Sequence, residues 1–66
     1  MDTLLDALRA RYKSEILMAK ANIEVYLKNP AGIGEHSDIT GAIDEQVAKL
    51  AEADEKLSTL NTFFDE

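Results

Sequence analysis

Apolar residues in the first part of the chain fall at Leu5, Leu8, Tyr12, Ile16, Ala19, Ile23 and Leu27. Steps of three and four positions trace one face of a helix, whereas a strand would alternate every second residue. Arg9, Lys13, Lys20 and Glu24 are expected on the opposite side. The interior is rich in good helix formers, and Asp2 or Thr3 can cap its start. The helix is expected to end at or before Asn29, because Pro30 pushes the residue before it out of the helical region. A second periodic set runs through Ile39, Ile43, Val47, Leu50, Ala53, Leu57, Leu60 and Phe64. Ser37, Asp38 and Thr40 are candidate caps for this helix, and acids near its start suit the positive end of the helix dipole. Gly41 weakens its first turn.

Between the two sets lies Asn29-Pro30-Ala31-Gly32-Ile33-Gly34-Glu35-His36-Ser37, which holds the only proline and two of the three glycines. The pattern predicts one unit over 1–66: a helix over about 3–28, a loop at 29–37 and a helix over about 38–63. Two helices of about 25 residues, each roughly 38 Å long, with a short connection make an all-α antiparallel two-helix hairpin. If residue 28 faces residue 38, partner numbers sum to about 66 in such a hairpin. The layers then pair Leu5 with Leu60, Leu8 with Leu57, Tyr12 with Ala53 and Asp54, and Ile16 with Leu50. Ala19 meets Val47, Ile23 meets Ile43 and Leu27 meets Ile39. Arg11 is placed to reach Asp54 across the seam.

A hairpin buries only one seam, which leaves a short chain little margin over its conformational entropy. The first helix has a second stripe on its far side: Ala7, Ala10, Ser14, Leu17, Met18, Ala21 and Val25. Alanine also fills exposed helix positions for propensity alone, but propensity does not align Leu17, Met18 and Val25 with it. The stripe is therefore the candidate oligomer interface. A two-fold dimer, the commonest oligomer, would build a four-helix bundle, and a domain-swapped hairpin would keep the same contacts.

Charge and composition narrow the function classes. The formal net charge is −6, and its distribution is uneven: residues 1–29 carry five bases and four acids, residues 37–66 two bases and eight acids. Such acidity argues against direct binding to a nucleic-acid backbone. Asp44, Glu45, Glu52 and Glu55, with Asp65 and Glu66, could imitate one, although a charged helix face is usually just solvated. No cysteine is present, which excludes disulfides and thiolate metal sites. No apolar run exceeds four residues, so neither a membrane span nor a secretory leader is expected. An apolar content of 45% is too high for a disordered chain.

Candidate chemistry is sparse. Asn29, Pro30 and Gly32 suit a type I turn, and Gly34 a positive φ. Ile33 can plug the end of the core. With Glu35 and His36 these residues form a candidate interaction loop, or simply a turn that caps the second helix. Glu35, His36 and Asp38 are too few and wrongly spaced for a metal site within one chain. Tyr12 and Tyr26 share one face, where core packing is the ordinary role and stacking on a bound base the alternative. Arg11, Glu15 and Asn22 flank that face and could line a polar groove at a subunit interface. Ser14, Ser37 and Ser58 lack an adjacent base, and His36 lacks a nucleophile. No enzymatic activity and no cofactor are expected.

The segment Tyr26-Leu27-Lys28-Asn29-Pro30-Ala31-Gly32-Ile33-Gly34-Glu35-His36-Ser37-Asp38-Ile39 resembles short proteins of marine tailed phages, especially T-even-like phages of cyanobacteria. The Asn-Pro-x-Gly-Ile-Gly-Glu-His loop is the most specific part of the likeness, which extends over most of the chain. It implies a phage or marine metagenomic origin and a bacterial cytoplasm. It carries no activity and no catalytic residue. The expected function is accordingly a protein–protein interaction module or phage accessory factor, a homodimer with a host or phage partner. The alternatives are a binder of a small ligand such as a nucleotide signal, with an inter-subunit site, and a structural virion component. A ligand site of that kind needs bases such as Arg11, Lys13 or Lys28 to converge.

Overall fold

A computed structural model describes residues 2–28 and 38–64. They form two α-helices of 26 residues each, α1 (Thr3–Lys28) and α2 (Ile39–Phe64), packed against each other as a hairpin. The chain is a rod: its Cα radius of gyration is 14.8 Å, where a globular chain of this length has about 11 Å.

Both helices start at an aspartate. The Asp2 carboxylate accepts hydrogen bonds from the backbone N–H of Leu4 at 2.9 Å and of Leu5 at 3.3 Å. Its carbonyl takes the first helical bond, from Asp6 N at 2.9 Å. Asp38 does the same for α2: its side chain accepts from Gly41 N at 2.8 Å and its carbonyl from Ala42 N at 3.1 Å. Of the candidate caps, Asp2 and Asp38 are therefore the ones used, while Thr3 and Thr40 lie inside helices. Gly41 also has a reason to be there. A Cβ at that position would collide with the capping carboxylate of Asp38, so the glycine lets the acid fold back over the first turn. The first turn of α2 itself holds no acid, and the Asp38 carboxylate faces its positive end.

The seam is narrow. Its buried residues are Ala19 (2% exposed), Ala53 (3%) and Gln46 (7%), and no large side chain among the described residues is fully enclosed. Leu5, Leu8, Tyr12, Ile16, Ile23 and Tyr26 of α1 are half-buried, as are Ile39, Ala42, Ile43, Leu50, Leu57 and Leu60 of α2. Three positions depart from the sequence pattern: Phe64 is exposed at the end of α2, and two others are replaced on the seam. Val47 and Leu27, expected on the seam, are exposed, and Gln46 and Tyr26 take their places. Apolarity favours Val47 and Leu27, but the helix turns by a fixed step. Positions 39, 46, 53 and 60, with 43, 50 and 57, keep a strict seven-residue spacing, as do 5, 12, 19 and 26. That spacing, and not side-chain hydrophobicity, determines which residue faces the partner helix.

Cross-helix contacts also revise the register. Asn22 bonds Gln46, Tyr12 lies beneath Lys56, and Arg9 bonds Asn61. Each α2 partner lies two to four positions nearer the C-terminus than the expected layers place it. Arg9, expected on the outer side, is instead a clasp between the helices. It donates to Asp6 Oδ1 at 3.1 Å, to Asn61 Oδ1 at 3.3 Å and to the Phe64 carbonyl at 3.1 Å. Its long stem spans the gap, and its charge meets the negative C-terminal end of α2, where carbonyls lack helical partners.

Candidate functional site

Every residue of the candidate oligomer stripe is exposed: Ala7, Ala10, Ser14, Leu17, Met18, Ala21 and Val25. Leu17, Met18 and Val25 expose 64%, 57% and 56% of their surface. A step of 100° per residue puts most of the stripe on the far side of α1 from Ala19, out of reach of α2, while Met18 stands at its edge and borders the seam. α1 thus has a covered face and an open apolar face. The candidate interaction loop, Asn29, Pro30, Gly32, Ile33, Gly34, Glu35 and His36, lies outside the described residues, as does Ser37.

A second feature flanks the seam. Arg11, Glu15, Met18, Ala19 and Asn22 of α1 and Gln46, Lys49, Glu52, Ala53 and Lys56 of α2 line a groove of about 440 Å³. The two buried alanines create it, because a methyl group on each helix leaves a hollow where longer side chains would interdigitate. At its floor, Asn22 Nδ2 donates to Gln46 Oε1 at 3.1 Å. The walls carry ion pairs, Arg11 with Glu15 at 3.3 Å and Lys56 with Glu52 at 3.1 Å. Glu52 holds the Lys56 ammonium above the ordinary lysine pKa, first through the hydrogen bond and then through its charge. Lys56 also sits 5.7 Å from the centre of the Tyr12 ring, a cation–π contact at an exposed site. Beyond it, Tyr12, Glu52, Glu55, Lys56, Thr59 and Leu60 border a shallower hollow of about 350 Å³.

The sequence singled out some residues of this groove but placed the groove at a subunit interface, whereas it lies between α1 and α2 of one chain. Arg11, Glu15 and Asn22, singled out as flanking the tyrosine face, all line it. The expected Arg11–Asp54 pair is replaced by Arg11–Glu15 within α1, where an i,i+4 partner is nearer than any residue across the seam. Of the bases named for a ligand site, only Arg11 lines the groove, while Lys13 projects about 160° away round α1. Sequence reasoning missed Gln46, Lys49 and Lys56. The seven-residue spacing of Lys49 and Lys56, the two bases of α2, was the available signal.

Among the described residues, no three His, Asp or Glu side chains gather where a metal ion could sit, and no helix is long and apolar enough to cross a membrane. No protein-family model, curated protein or solved structure matches the chain.

Proposed function

We propose that the chain is a non-enzymatic interaction module whose working unit is a homodimer. In this reading two hairpins pack through the outer faces of α1 to form a four-helix bundle. The observation that carries it is the distribution of apolar side chains on α1. Leu17, Met18 and Val25 are open to solvent in line with four small residues, while among the described residues the seam encloses two alanines and a glutamine. Small residues at Ala7, Ala10, Ser14 and Ala21 let helix axes approach closely. The area fits as well. The chain exposes 5165 Å², whereas a globular monomer of its mass exposes about 4,200 Å². The excess, about 1,000 Å², is close to the ~800 Å² that each partner buries in a standard interface.

The likeness to marine phage proteins supports a bacterial cytoplasm as the setting and a host or phage protein as the further partner. Size-exclusion chromatography with multi-angle light scattering over a range of protein concentrations tests the dimer. The expected mass is twice 7.3 kDa, maintained on dilution. A folded monomer at every concentration overturns the dimer and makes the α1 stripe the seat of a different protein.

A further inference from the structure

The seam repeats every seven residues. Leu5, Tyr12, Ala19 and Tyr26 recur on α1, and Ile39, Gln46, Ala53 and Leu60 on α2. A repeat of this kind is ambiguous about alignment. Sliding one helix along the other by one or two turns, about 5 or 11 Å, brings apolar side chains opposite apolar side chains again, at the cost of overlap at the two ends. No large side chain among the described residues is fully enclosed, so no deeply seated knob interlocks the helices in one position.

One seam position breaks the apolar pattern. Gln46 is 7% exposed, and Asn22 Nδ2 donates to its Oε1 at 3.1 Å. A buried amide costs free energy when its polar partner is lost. Asn22 is the one amide side chain of α1. Met18 and Tyr26 stand one turn either side of it, and Glu15, two turns back, is bridged to Arg11. A slide along α1 therefore exchanges the amide–amide bond for a neighbour that has no amide or is already paired. We propose that the Asn22–Gln46 pair is a register latch: it selects one alignment of the hairpin among those the apolar repeat permits, and contributes little to the stability of the fold. A buried polar pair in an apolar helix seam fixes register in coiled coils at a cost in stability. Arg9 also meets Asn61 in this alignment, but through exposed contacts that water can replace. The latch acts within one hairpin and does not depend on dimerisation.

Paired spin labels read the alignment. The chain has no cysteine, so Lys13→Cys and Asp44→Cys, both exposed and staggered along the rod, place the labels cleanly. Labelled chain is diluted in unlabelled chain of the same sequence, so that distances within one hairpin are recorded. The native pair should give one distance. Asn22→Leu with Gln46→Leu should keep its helices by circular dichroism and a urea midpoint equal to or above wild type, and should add populations displaced by one or two turns. The exchanged pair, Asn22→Gln with Gln46→Asn, should return to one distance. A bond that only stabilises predicts the reverse: the Leu variant would lose stability and hold its single distance. That result overturns the proposal, as does a Leu variant that no longer folds, or an exchanged pair as heterogeneous as the Leu variant.

Discussion

The two faces of α1 invert the usual order of a helix. Its inner face buries Ala19 and half-covers Leu5, Leu8, Tyr12, Ile16, Ile23 and Tyr26, while its outer face leaves Leu17, Met18 and Val25 open. A helix that packed on one side only would reserve its outer positions for charge. Here charge is displaced to the borders: Arg11 and Glu15 on one side of the stripe, Lys13, Lys20 and Glu24 on the other. The difference teaches that the hairpin seam defines the shape of the chain without consuming its apolar surface. What remains is available for association.

The most disruptive test puts acids on the outer face. Ala10→Glu with Ala21→Glu should give monomers and a large loss of stability, about 3–5 kcal/mol if the charges are forced into a packed interface. Light scattering and urea unfolding followed by circular dichroism read both effects. An equally stable dimer would locate the interface elsewhere. The inner face is challenged by Ala19→Leu, which overfills a 2%-exposed site and should cost about 1–3 kcal/mol. Its urea midpoint should fall while the native species keeps its mass, which separates seam from stripe.

Arg9→Ala removes the clasp between α1 and the end of α2. A loss of about 1 kcal/mol is expected, because the arginine's contacts are solvent-accessible and one of its partners is a surface ion pair. Thermal unfolding with and without 0.5 M salt should show the gap between wild type and variant narrowing as salt rises. The smallest effect belongs to Lys56→Gln. Glu52 raises the Lys56 pKa above 10.5, so its stabilising contribution is complete below the unfolded value and is lost as pH rises through the folded one. Wild type and variant should therefore differ at neutral pH and converge in strongly alkaline solution, measured as the urea midpoint against pH. A difference that persists there would assign the effect to packing against Tyr12.

Much of the hairpin was legible from the sequence. Both helices follow from the three-and-four spacing; several caps were open at each start, and the structure uses the acids at 2 and 38. Apolarity misassigned Phe64, which is exposed, and also Val47 and Leu27, which are more hydrophobic than Gln46 and Tyr26, yet a seven-residue repeat seats the latter pair. The register departed because it was anchored on residues flanking the loop, whereas cross-helix contacts such as Asn22 with Gln46 show the alignment adopted. Half the groove was visible in Arg11, Glu15 and Asn22. The other half was hidden because polar side chains on a helix face carry no periodic signal that separates a groove wall from a solvated surface.

The placement of the tyrosines gives the protein an intrinsic optical reporter. There is no tryptophan, and Tyr12 and Tyr26 are both half-buried on the seam, with Lys56 over the Tyr12 ring. Intrinsic emission above 300 nm therefore comes from residues that face the sister helix and do not lie on the outer stripe. Opening of the hairpin changes that signal, while separation of two intact hairpins leaves it nearly constant. An unlabelled sample thus distinguishes folding from assembly when fluorescence and light scattering are recorded on the same dilution series.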